Sequence, residues 1–241
     1  MKQKPSSYYN EDYYSGVGGK GYKGEYTFAS APWHGMARAI VQTFGCHIGA
    51  KTCTDFGCAK GFVLWFLLNE YGWAVQGYDW SDWVCENGAL GVPIECKDIT
   101  KRGEFMAADV TLCTDTLEHI QEDKLETTLG NIYTATNKVF IAHIGLTETV
   151  RESLPEHVTM HDRAWWQERF EAAGFVTSIW EPLYITRLRR ATKTSIGKLW
   201  AADAFVLEPV PAVEVKKIEL EWVPAAMVEK EWVTEDAGLP S

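Results

Sequence analysis

The chain has no excess of positive charge. Its 23 Lys and Arg face 33 Asp and Glu, a formal net charge of −10. A dedicated nucleic-acid binder normally presents a basic surface, so DNA is not an expected partner. No apolar run approaches the roughly 18 residues of a membrane span, and no signal-peptide pattern opens the chain. The expectation is a soluble, cytoplasmic protein with no membrane partner. Six cysteines (Cys46, Cys53, Cys58, Cys85, Cys96 and Cys113) form neither a CxxC pair nor a Cys/His zinc spacing. Several lie in apolar, strand-like runs, where Cys acts as a small hydrophobe, and this fits a reducing compartment better than a disulfide scaffold. There is no internal repeat.

What is present is ample core material. A chain of 241 residues, 46% of them hydrophobic, suits one α/β domain with appendages. Eleven Trp and ten Tyr either fill that core or line a pocket for a flat ligand. Three regions are distinguished: a Tyr/Gly-rich arm over 1–30, a central domain over 31–208, and an extension over 209–241. The arm carries Tyr8, Tyr9, Tyr13 and Tyr14, whereas disordered tails are poor in aromatics, so it is expected to pack back on the domain as a lid. Glycines over 16–24 argue against a regular element there.

The central domain is organised around Thr52–Leu64. This stretch reads as a strand over 52–56 ended by Asp55, a turn flanked by Gly57 and Gly61, and an apolar helix over 62–71. Glycine allows close backbone approach to a ligand, and the helix start presents free N–H groups to it. Before it, apolar residues at 33, 36, 37, 40, 41 and 44 follow helical spacing, with Ser30 placed to cap the helix and Pro32 near its first turn. After it, strands are expected over 73–78, 92–96, 110–114, 138–142, 175–180 and 204–207. Helices are expected from Ser81 to Asn87, over 122–134, and from Asp162 to Ala173, where Gly174 stops the chain. Such alternation predicts a parallel sheet with helices on both faces, and ligands bind beyond the carboxyl ends of its strands. There the sequence places Asp55, Asp79, Asp98 and Asp115 after the first four strands, and His143 after the fifth. The basic cluster Arg187–Ser195 is expected in a loop between strands six and seven. Residues 209–241 read as an extension with a frayed end, a candidate interface for a homo-oligomer.

An acid about twenty residues beyond a glycine turn suits a ribose diol, hence an adenosine-type ligand. The turn lacks G-x-G-x-x-G, which disfavours a dinucleotide. Asp55-Phe56-Gly57-Cys58-Ala59-Lys60-Gly61-Phe62 resembles the first motif of class I S-adenosylmethionine-dependent methyltransferases. Gly77–Ser81 resembles the second, Asp98-Ile99 the third and Asp115–Ile120 the fourth. His157–Met160, Trp165-Trp166 and Glu171–Phe175 are similar to the family's late part, and the resemblance covers about 8–207. It implies a Rossmann-like, seven-stranded, mostly parallel sheet with the last strand antiparallel. It also implies S-adenosyl-L-methionine as cofactor and S-adenosyl-L-homocysteine as product. By position, Asp55, Gly57, Cys58 and Gly61 would surround the methionine and sugar. Asp79 would take the ribose hydroxyls beside Trp80, Asp98 and Ile99 the adenine, and Thr114 and Asp115 would face the methionine end.

The expected activity is methylation of a hydroxyl on a small molecule or sugar by in-line displacement. A histidine would take the acceptor's proton, and His157, His143 and His119 are the candidates. Asp115, Glu118 and His119 at helical offsets also resemble the metal-holding acid and Glu-His pair of the ubiquinone-pathway O-methyltransferases. That metal is the secondary reading, since Asp115 is short for the first acid, and no metal ligand is assigned. Neither Asn/Asp-Pro-Pro-Tyr/Phe nor a Pro-Cys nucleophile occurs, which excludes the common DNA-methylating patterns. The alternatives are an RNA acceptor held by Arg187–Lys193, or a non-catalytic cofactor-binding or assembly protein.

Overall fold

The computed structural model describes residues 3–15, 26–28, 33–149, 156–192 and 195–210. Ser30, Pro32, the glycines over 16–24, Lys193, Thr194 and the extension from 211 onward lie outside the described residues. Seven strands form one sheet: β1 Thr52–Phe56, β2 Ala74–Asp79, β3 Ile94–Cys96, β4 Ala108–Thr114, β5 Thr136–His143, β6 Phe175–Thr177 and β7 Ala204–Pro209. Their order is β3-β2-β1-β4-β5-β7-β6, and every pairing is parallel except those of β7 with β5 and β6. The chain therefore has the expected Rossmann-like sheet with its last strand antiparallel.

Helices cover both faces, so the central strands are apolar on both sides instead of alternating. On β5, Val139 and Ile141 pack into one core while Phe140 and Ala142 pack into the other. The first core receives Met36 from α2 (Trp33–Ile40), Leu64 and Leu67 from α3 (Phe62–Asn69), and Tyr184 and Leu188 from α7 (Glu181–Ala191). The second receives Leu125, Leu129 and Ile132 from α5 (Glu122–Ala135), and Trp166 and Phe170 from α6 (Arg163–Ala172). Further helices include α1 (Glu11–Ser15), α4 (Asp82–Asn87) and α8 (Ser195–Asp203). Ser81 caps α4 and Asp162 caps α6, their side chains accepting from the backbone N–H of Val84 and Trp165.

Three sequence expectations need correction. The sixth strand stops at Thr177, because Ser178 accepts a bond from the N–H of Trp180 and turns the chain into α7. Arg187–Ala191 is not a loop. It is the last part of α7, whose Tyr184 and Leu188 lie one turn apart and are both fully buried. The cysteines are not all isolated hydrophobes, since Cys85 of α4 is disulfide-bonded to Cys96 of β3.

Candidate functional site

The site lies where β1, β2 and β4 end. After β1 the chain makes a tight turn in which Gly57, Ala59 and Gly61 all have positive φ, at 78°, 47° and 71°. Gly57 is required there: a Cβ would come 2.4 Å from Oγ1 of Thr116. The N–H groups of Gly57 and Cys58 both donate to the carbonyl of Tyr78, which locks the turn against the end of β2. Gly61 sits one step back from the opening, as the left-handed residue before α3.

Asp79 faces this turn. Its Oδ2 accepts from the N–H of Ala59 at 3.0 Å and its Oδ1 from the N–H of Ser81 at 2.9 Å. These bonds hold the carboxylate rigid. Burial raises its pKa to about 6, against the lowering effect of those N–H bonds. Asp55 is also buried, and its Oδ1 has no partner among the described residues. Burial, then the charge of Asp79, raises it to about 7. Asp98 is more open: burial raises its pKa, but bonds from Thr100 and Lys101 outweigh this and hold it low.

Asp115, just past β4, has φ of 49°, a strained value for a residue with a side chain. Its N–H donates to the carbonyl of His143, and its Oδ2 accepts from Nε1 of Trp200 at 2.9 Å. Leu117–His119 then form one 3-10 turn. Glu118 is buried, and its Oε1 accepts from the N–H of Gly145 at 2.9 Å. Burial, then the neighbouring Asp115, pushes its pKa well up. The segment around His157 docks on this turn: the N–H groups of Val158 and Thr159 both donate to the carbonyl of Glu118. The rings of His119 and His157 consequently lie edge to face, 4.8 Å apart. Burial lowers both pKa values, that of His119 to about 3, so both imidazoles are neutral near pH 7.

The arm closes one side. The carbonyl of Tyr9 accepts from Oγ of Ser81 at 2.6 Å, and Tyr9 Oη lies 3.4 Å from Nδ1 of His119. Tyr14 stacks on Trp83. The enclosed cavity has a volume of about 1010 Å³ and is lined by Asp55, Gly57, Cys58, Asp79, Trp80, Asp98, Ile99, Thr114, Asp115, His119 and His157. Of the residues singled out from the sequence, Gly61 and His143 are not in its lining. His143 is fully buried with its Nε2 against Tyr184 Oη at 3.3 Å, and burial lowers its pKa to about 3. The expected set Asp115, Glu118 and His119 does not converge. The group that meets is Glu118, His119 and His157.

Sequence reading missed Trp200, Asp203 and Glu156, which also line the cavity. The first two stand on α8, a helix not assigned from the sequence. Only its helical spacing ahead of β7 could have pointed to them. None of Arg187, Arg189 and Arg190 lines the cavity. Arg187 donates to the carbonyl of Gln42 instead.

No family model and no curated protein matches the chain. Solved structures do. An O-methyltransferase from a trans-AT PKS multienzyme of Brevibacillus brevis, in complex with S-adenosyl-L-homocysteine, is 15% identical. It has a TM-score of 0.52, covering 73% of this chain and 72% of that one. An amino pentose methyltransferase from Micromonospora echinaspora, with SAM bound, is 14% identical with a TM-score of 0.56, covering 77% and 94%. The 4+2 cyclase SpnF is 12% identical with a TM-score of 0.53, covering 73% and 81%. The chain therefore has the fold these proteins share. The cyclase is a reminder that a shared fold does not select one reaction. Among the described residues, no helix is long and apolar enough to cross a membrane.

Proposed function

We propose that the protein is an S-adenosyl-L-methionine-dependent methyltransferase acting on a hydroxyl of a small molecule or sugar. The observation that carries the cofactor is Asp79, a rigid buried carboxylate at the end of β2, facing the glycine turn. A vicinal diol can donate to both oxygens, as a ribose does. Asp55 fits a cofactor with an ammonium group, because its buried Oδ1 lacks a donor among the described residues. Trp80 and Ile99 supply apolar walls for the base.

When bound, S-adenosylmethionine supplies a methyl on a sulfonium, open to in-line displacement by the acceptor. The chain's task is then placement and exclusion of water. Tyr9, Tyr13, Trp33 and Trp200 wall the acceptor side, and the arm acts as the lid. His119 and His157 are the imidazoles this wall offers to the acceptor. His143 is enclosed by Tyr184 and Trp200 and serves the packing.

Calorimetry tests the reading. Wild-type protein should bind S-adenosylmethionine and the product S-adenosyl-L-homocysteine. Asp79→Ala should lose about 1.5–3 kcal/mol of affinity, the worth of hydrogen bonds to a charged group. Unchanged affinity in the variant would falsify the placement. Labelled methyl transfer to glycan and metabolite extracts, with RNA in parallel, identifies the acceptor class.

A further inference from the structure

We propose that Glu118, His119 and His157 form a binding site for one divalent transition-metal ion. One ligand atom from each lies within 4.8 Å of the others. That convergence is built by the backbone. Glu118 and His119 are consecutive in the turn after β4, and His157 is delivered from a distant segment. Its neighbours Val158 and Thr159 donate to the carbonyl of Glu118 at 2.8 and 3.0 Å, and Thr159 Oγ1 donates to the carbonyl of Ile120 at 2.6 Å.

The second observation is what Glu118 and His157 leave unused. Glu118 Oε1 is held by the N–H of Gly145, which orients the carboxylate as an outer partner orients a metal ligand. Its Oε2 is buried without a hydrogen-bond partner among the described residues, and so is Nδ1 of His157. Buried polar atoms are nearly always paired, so an unpaired one on each of two residues of the same cluster calls for a partner. Asp115 is outside the group that converges, and its Oδ2 accepts from Trp200 instead.

Two imidazoles and one carboxylate favour Zn²⁺, Co²⁺, Fe²⁺ or Ni²⁺ over Mg²⁺ or Ca²⁺, which prefer all-oxygen sites. Three protein ligands leave positions open toward the cavity, where an acceptor's oxygen would complete the shell. This link to the acceptor rests on the methyltransferase reading. The site itself does not.

The full chain, stripped with chelator, should take up one equivalent of Co²⁺ with a visible absorption band, and Zn²⁺ should displace it. Mg²⁺ in tenfold excess should not. His157→Ala should weaken Co²⁺ binding at least tenfold and abolish the band, with far-UV circular dichroism reporting that the variant is folded. Glu118→Gln is the second variant. It keeps an oxygen for Gly145 and should also lose at least tenfold. Exposed His34→Ala should change nothing. Failure of the wild type to bind, or binding unaltered in both folded variants, overturns the proposal. Calorimetry with S-adenosylmethionine alone separates this outcome from failure of the cofactor reading, since either can hold without the other.

Discussion

Asp115 is the most constrained residue of the site. Its backbone is left-handed, its N–H is tied to His143, and its carboxylate has Trp200 as donor. Burial raises its pKa, and the Trp200 bond works against that rise. Trp200→Phe keeps most of the packing and removes the donor. It should cost about 0.5–1.5 kcal/mol of stability at pH 8, where the carboxylate is charged. At pH 5 the loss should be smaller, because a protonated Asp115 needs the donor less. Urea unfolding at both pH values checks this, and equal losses would mean that packing alone is involved. Asp115 was visible in the sequence as an acid after the fourth strand. Trp200 was not, because its role depends on α8 folding back 85 residues away in sequence.

At the scale of elements, Ser81 joins three parts of the fold. Its side chain caps α4 through the N–H of Val84, its N–H holds Asp79, and its hydroxyl donates to the carbonyl of Tyr9 in the arm. Ser81→Ala should cost about 1 kcal/mol through the cap. It should also speed hydrogen exchange and proteolysis over residues 3–15 while leaving α6 unchanged. Exchange in the arm as slow as in the wild type would show that Tyr9 does not depend on this bond. The caps of α4 and α6 were legible, because Ser and Asp before an apolar run have a local cause. The last part of α7, from Arg187, reads as a loop in the sequence. Its arginines dominate the local composition, and the burial of Tyr184 and Leu188 that decides it is tertiary.

For the molecule as a whole, the site concentrates buried acids in a chain already at −10. Asp55, Asp79 and Asp203 are raised by burial to about 7, 6 and 6. A carboxyl whose folded pKa exceeds its unfolded value contributes stability that is complete below about pH 4 and lost as pH rises through the folded value. These groups therefore favour the folded state increasingly as pH falls from about 8 toward about 4. His119 and His143, lowered by burial to about 3, act in the opposite sense. Their unfolded forms gain protons below about pH 6.5, so stability is lost there. The three acids outnumber the two histidines, so the Tm of ligand-free protein should rise as pH falls from 8 toward about 5. Thermal unfolding followed by fluorescence from pH 4 to 9 measures this. A Tm that rises steadily to pH 9 would contradict the burial of the acids.

The sequence by itself determined the strand and helix alternation, the glycine turn, and the acids at the strand ends. Each has a cause within a few residues: apolar runs long enough for a two-faced sheet, positive φ at Gly57 and Gly61, and helix caps. Only the tertiary structure decided which of those residues share a cavity. It removed His143 behind Tyr184, paired Cys85 with Cys96, and brought Trp200, Glu156 and Asp203 to the site. It also exchanged Asp115 for His157 beside Glu118 and His119. The physical reason is that orientation and burial of a side chain depend on partners far away along the chain, which local patterning does not encode.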